Sequence, residues 1–170
     1  VVNKDVVTVS QSDSTSPSSI SRESGSGRFI FRIKDTNANS YISNTSTNAS
    51  IYFTWDRANY AIAYAVNPNT TGYVNYDLYP NCSYASGTQK WTASVIATDG
   101  CYQQVSNMTA LTFDVVGQLK HNLPLPIYNS NYNVTEQIPI NFTTLSDCSA
   151  SRPEENPIIN ATDYKIELSQ

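Results

Sequence analysis

The stretch Tyr60-Ala61-Ile62-Ala63-Tyr64-Ala65-Val66 sets large apolar side chains at 60, 62, 64 and 66, with alanine at every position between them. A repeat of two is the period of an extended strand, whose successive side chains point to opposite faces. With one face large and the other small, this strand is expected to lie between two layers or under a close neighbour. The same reading extends outward in both directions. Toward the N-terminus stand IYFTW at 51–55 and RFIFRIK at 28–34. Toward the C-terminus come GYVNYDLY at 72–79, KWTASVIAT at 90–98, YQQVS at 102–106, ALTFDVV at 110–116, IPINFTT at 138–144 and DYKIELS at 163–169. Nine short β runs broken by turn residues, with no long segment of helical period, point to an all-β fold, a β-sandwich. Leu111, Phe113 and Val115 form another expected inward face, as do Tyr164, Ile166 and Leu168 against outward Lys165 and Glu167. Leu119 to Asn133, with Pro124 and Pro126, reads as a connection crossing the surface rather than a central strand.

The N-terminal part differs in kind. VVNKDVVTVS, residues 1–10, is rich in β-branched residues and reads as a strand. QSDSTSPSSISRESGSG, residues 11–27, carries the Ser, Gly and Pro content of a flexible linker. A lone strand is not stable, so Val6, Val7 and Val9 are expected to pair with a sheet in this domain or in another molecule. Residues 28–170 would then be one sandwich domain. The chain starts at Val1 without an initiator methionine, as either a chain freed of a secretory leader or a trimmed one would, and no apolar run approaches the ~20 residues of a membrane-spanning helix.

Charged residues make up 14% of the chain, against about 25% in typical globular proteins. The surface must therefore be wetted mainly by hydroxyls and amides. The net charge is -4 and the ten Lys and Arg are scattered, so the electrostatic footprint of a nucleic-acid binder is missing. Three cysteines, Cys82, Cys101 and Cys148, show no Cys-x-x-Cys spacing, and a single histidine, His121, is too little for the usual zinc sites. In an oxidising compartment Cys82 with Cys101 is the expected bridge, because the segment between them could fold back as a hairpin and close a loop worth roughly 3 kcal/mol. Pairing of either with Cys148 is the rival.

Asn-x-Ser/Thr acceptors occur at Asn44, Asn48, Asn69, Asn81, Asn107, Asn133, Asn141 and Asn160, none with proline in the middle. From 18 Asn and 39 Ser or Thr, chance would supply about four. The twofold excess, confined to residues beyond 43, suits a sugar-coated body with a bare N-terminal arm. The competing account is that an Asn- and Thr-rich β protein makes such triplets as a by-product of its turns.

Catalytic patterns are sparse. His121 lies in a polar stretch before two prolines, without a Gly-x-Ser-x-Gly elbow, and is expected to be an exposed loop residue. The glycines never form a phosphate loop. Glu154, Glu155 and Asp99 could pair for glycoside hydrolysis only by converging in space, and solvated loop charge is the better account of them. Asp147, Asp163 and Asp99 offer hard oxygen ligands but no calcium loop, so no metal and no cofactor beyond covalent N-glycans is expected. Twelve Tyr, five Phe and two Trp invite comparison with a sugar-binding platform, in which Trp55 and Trp91 would be the first residues to test. Core packing competes with that reading.

The bare N-terminal strand, the Ser-rich tether, the many-stranded Tyr-, Thr- and Asn-rich body and the sequon coat together resemble subunits of the archaeal thread, a cell-surface filament of thermoacidophilic archaea. The resemblance is architectural and spans the whole chain. It implies an Ig-like, pilin-like β-sandwich whose subunits join head to tail by donor-strand complementation. Val1, Val2, Val6, Val7, Thr8 and Val9 would be the donor strand and the body from about Arg28 the acceptor groove. The implied role is a glycosylated extracellular filament for adhesion or biofilm, a homopolymer with surface glycans as further partners. A linker of about 17 residues, reaching roughly 55 Å, could equally return the strand to its own sheet. A monomeric glycoprotein ectodomain, adhesive or lectin-like, would then result.

Overall fold

The computed structural model describes residues 4–12, 16–43, 47–60, 64–96, 101–105, 107–125, 127, 129–133 and 135–155. The chain divides into two compact units, residues 1–117 and 118–170. Residues 1–27 belong to the first unit, and residues 28–170 are shared between the two.

In the first unit β1 (Val7–Gln11), β2 (Ser19–Ser21), β3 (Gly27–Asp35), β4 (Ser40–Tyr41), β5 (Ala49–Phe53), β6 (Tyr64–Val66), β7 (Tyr73–Leu78), β8 (Gly87–Val95) and β9 (Leu111–Val116) build two sheets. In one, β1, β4 and β7 all pair antiparallel with β3. The other runs β2-β9-β8-β5-β6 and is antiparallel except that β2 lies parallel to β9. In the second unit β10 (Leu119–Leu125) pairs antiparallel with β11 (Asn141–Ser146), and one turn of 3-10 helix follows at Pro153–Glu155. No helix among the described residues is long and apolar enough to cross a membrane.

Period-two patterning builds the core. In β3 the side chains of Phe29, Phe31 and Ile33 are fully buried while Arg28, Ile30, Arg32 and Lys34 turn outward. Phe29 meets rings from three strands of the facing sheet edge to face: Phe53 at 4.8 Å, Trp91 at 5.2 Å and Phe113 at 5.0 Å between centroids. Each such side chain contributes roughly 1.5–3 kcal/mol through burial, and each ring pair about 0.5–1.5 kcal/mol more. Tyr64 of β6 and Tyr76 of β7 stack at 4.6 Å beside Phe53. Burial, then the nearby Tyr64, pushes the Tyr76 phenol up to about 12, and burial likewise raises Tyr84.

Phe113 and Val115 of β9 are buried and Leu111 packs against the core, as the alternation predicts. From the YAIAYAV stretch, Tyr64 and Val66 pack against the core and Ala65 is exposed, but Tyr60 forms only an isolated bridge with Thr54 and is exposed. The YQQVS run yields only bridges at Tyr102 and Val105. The Tyr164, Ile166 and Leu168 face lies outside the described residues, as do Val1 and Val2.

Two segments read from composition as connections contain strands. The supposed linker contains β2, whose Ile20 is 3% exposed, followed by Arg22 at 1%. Asp114 N–H donates to Ser18 O and Arg22 N–H to Val116 O, while the Arg22 guanidinium donates to Tyr84 O at 2.9 Å. Likewise Leu119–Leu125 is a strand rather than a plain connection. Among the described residues it pairs only with β11, and Pro124 lies where the register breaks between Asn122 and Leu125.

Candidate functional site

The expected donor strand is bonded within its own chain. β1 pairs with β3 from Val7 opposite Asp35 to Gln11 opposite Phe31. Val7 is 2% exposed and sits in the core, Val9 packs against it, Thr8 faces out and Val6 is exposed. Just ahead, Asp5 N–H donates to Cys101 O, Gln103 N–H to Asp5 O, and Thr36 N–H to Val6 O.

The disulfide also departs from expectation. The disulfide-bonded cysteines are Cys82 and Cys148, not Cys82 and Cys101. The segment after Cys82 does not turn back as a hairpin. It runs out as the nine residues of β8, roughly 30 Å at 3.3 Å per residue, and leaves Cys101 exposed beside Asp5. Cys82 instead lies beside Glu23, whose carboxylate accepts its backbone N–H at 2.9 Å. Oxidation leaves no thiolate at Cys82 for a metal.

Of the sequon asparagines, Asn69, Asn81, Asn107, Asn133 and Asn141 are exposed and Asn48 is half-buried, whereas Asn44 and Asn160 lie outside the described residues. Two share one local geometry. Asn69 Oδ1 accepts from the Thr71 hydroxyl at 2.7 Å and from the N–H groups of Thr71 and Tyr73. Asn81 Oδ1 accepts from the Ser83 hydroxyl at 2.5 Å and from Ser83 N–H. In both, an Asx turn ties the sequon hydroxyl to the amide oxygen and leaves the amide nitrogen outside that turn.

The candidate aromatic platform does not assemble. Trp91 is fully buried in the sandwich core, its Nε1 without an acceptor, and Trp55 is an exposed turn residue between β5 and β6. His121 is exposed on β10, opposite Thr144, with Nδ1 2.9 Å from the Thr144 hydroxyl. Glu154 pairs with Arg152 at 3.4 Å and Glu155 follows it in the 3-10 turn. Asp147 accepts from the Ser146 hydroxyl, while Asp99 and Asp163 lie outside the described residues.

What sequence reading missed is a cleft of about 620 Å³ on the outer face of the β1-β3-β7 sheet. Its centre is Arg32, whose guanidinium carbon lies 3.2 Å from the centroid of the Tyr41 ring and 4.4 Å from that of Tyr73. Ser10 and Gln11 of β1 line one side, and Asn75 of β7 with Asn69 the other. Register explains the assembly. Ser10 stands opposite Arg32 and Arg32 opposite Tyr73, while Tyr41 stands opposite Lys34. The turn into β7 then closes the cleft. Gly72 has a φ of +78°, and a Cβ there would meet Tyr41 Cβ at 3.0 Å, so glycine lets the turn approach the ring. Arg32 Nη2 donates to Thr71 O at 3.2 Å, and its Nε is buried without an acceptor.

The other arginine of this face is differently placed. Arg28 grips Asp77 with Nε and Nη2 at 2.7 and 2.8 Å, and this bonding holds the Asp77 carboxyl below its usual range. Among the described residues no carboxylate lines the cleft around Arg32. The arrangement supplies a cation, two stacked rings, amides and hydroxyls, which together suit holding a ligand. The signal was the alternation Arg28, Ile30, Arg32, Lys34, three cations on one strand face, but Tyr41 and Tyr73 are brought to it only by pairing across three strands. Compared with known proteins, the chain matches no family model and no curated protein.

Proposed function

We propose that this chain is an extracellular, N-glycosylated module of Ig-like architecture that works by binding rather than by catalysis. The strand order supports the architecture: β3 with β7 in one layer, β9-β8-β5-β6 in the other, and an N-terminal segment that contributes β1 to the first and β2 to the second. A disulfide suits an oxidising compartment, and the exposed sequons suit a sugar coat.

The observation that carries this reading is Val7 in the core of its own sandwich, with β1 laddered to β3. A module completed by its own N-terminus does not need a neighbour to fold. Removal of residues 1–10 tests this. A soluble but less stable monomer supports the self-complete module, whereas a body that keeps its melting temperature and takes up an added 1–10 peptide refutes it.

Head-to-tail assembly is a second reading, and one observation favours it. β1 is an edge strand that commits only Val7 fully to the core, so most of its joint is backbone ladder that an identical strand from another copy could make. Such a contact is heterologous and would grow an open filament for adhesion or surface coating. Electron microscopy of native material decides it: fibres support assembly, and dispersed particles at high concentration count against it.

A further inference from the structure

We infer that the Arg32 cleft is a binding site for an acidic saccharide, with Arg32 meeting its carboxylate and Tyr41 and Tyr73 flanking the sugar. The inference rests on the reading of the chain as a binding module and names the ligand class of that module's site.

Three observations lead there. First, the charge is unbalanced: Arg28 has Asp77 as a two-pronged partner, whereas among the described residues Arg32 donates to the Thr71 carbonyl and meets no lining carboxylate. A guanidinium is a planar fork that pairs with a carboxylate in two parallel bonds, and this one is held against two rings rather than left to wander. Second, apart from Ile30 the rest of the lining is neutral and hydrogen-bonding: Ser10, Gln11 and Asn75 offer both donors and acceptors, as a ring of hydroxyls requires, while Asn69 Oδ1 is taken up by Thr71 and Tyr73. Third, the rings belong to tyrosine, which gives an apolar face and a polar tip at the rim of an open trough. A purely apolar ligand would leave the amides unused, and a neutral sugar would leave the cation uncompensated.

The experiment titrates the full chain, made in a host that forms disulfides but attaches no N-glycans so that Asn69 at the cleft stays bare, by calorimetry with a galacturonic acid tetramer and, separately, with the galactose tetramer of the same linkage. The acidic sugar is expected to bind roughly tenfold more tightly, the effect of one charge-assisted contact. Arg32→Lys, which keeps the charge but loses the fork, is expected to remove most of that preference. Asn75→Asp, a change at an exposed position, sets a like charge in the trough and is expected to weaken the acidic sugar about tenfold while sparing the neutral one. Its selectivity separates recognition from simple misfolding, which would weaken both. Failure of the acidic tetramer to bind, equal affinity for the two sugars, or an Asn75→Asp chain that binds the acidic one unchanged would overturn the inference. None of these results touches the module reading, whose test is the stability of the chain lacking residues 1–10.

Discussion

Gly27, at the start of β3, lies directly against Ile20 of β2, so close that a Cβ at position 27 would meet Ile20 Cγ1 at 2.7 Å and Pro17 Cγ at 2.6 Å. Ile20 is 3% exposed and cannot swing away. This contact seats the N-terminal crossing segment on the sandwich. Gly27→Ala is expected to overpack it and lower stability by about 1–3 kcal/mol. Chemical denaturation reads the loss, and a variant as stable as the parent would mean that Pro17 and Ile20 are not docked there.

Asp56 fixes the turn that carries Trp55. Its Oδ1 accepts from the N–H groups of Ala58 at 3.0 Å and Asn59 at 2.6 Å, and Oδ2 accepts from the Asn59 side chain at 2.6 Å. These bonds, those from Asn59 foremost, lower the carboxyl to about 2. A folded-state value below the ordinary 3.8 means that the turn is fully supported above pH 4 and loses that support as the pH falls through about 2. Carbon-detected NMR of the Asp56 carboxyl should give a midpoint near 2. Asn59→Ala should move it upward, and an unshifted midpoint in that variant would contradict the geometry.

A non-reducing tryptic digest should contain one crosslinked species joining the peptide of Cys82 to that of Cys148, and the peptide of Cys101 should be absent from it. A Cys82–Cys101 species would restore the hairpin expected from spacing. Reduction should lower stability, since closing a loop this long is worth about 4 kcal/mol in the chain-entropy model.

Asn69 and Asn81 hold their sequon hydroxyls in the same Asx turn. Glycopeptide mass spectrometry of the chain from a glycosylating host should find both occupied. Exchange of Thr71 or Ser83 for Ala should empty the respective site and leave the other unchanged. Bare asparagines at both positions would argue for turn chemistry alone as the source of the sequon excess.

The sheet content was legible because β3, β7, β8 and β9 alternate over six or more residues, and a period of two means the same thing in any context. Residues 11–27 misled because serine and glycine describe solvent exposure on average, whereas one isoleucine at 20 and one arginine at 22, two apart and therefore on one face, were enough to bind the segment to β9. The cysteine pairing failed since hairpin formation between 82 and 101 depends on whether β8 continues straight, which spacing does not reveal. Arg32 was readable as an outward cation on β3. Its rings were not, because Tyr41 and Tyr73 reach it through pairing that only the folded register specifies.

The parallel run of β2 beside β9 has a mechanical meaning. β2 enters the sandwich from the N-terminal side, and β9 leaves the first unit at Val116 in the same direction. Once β1 has been drawn off β3, tension between the N-terminus and residue 117 pulls the two strands past each other lengthwise, so the ladder from Ser19–Asp114 to Ser21–Val116 is loaded all at once instead of opening bond by bond. A molecule stretched on a surface would hold by this shear geometry and yield in a single high-force event, which single-molecule pulling can record.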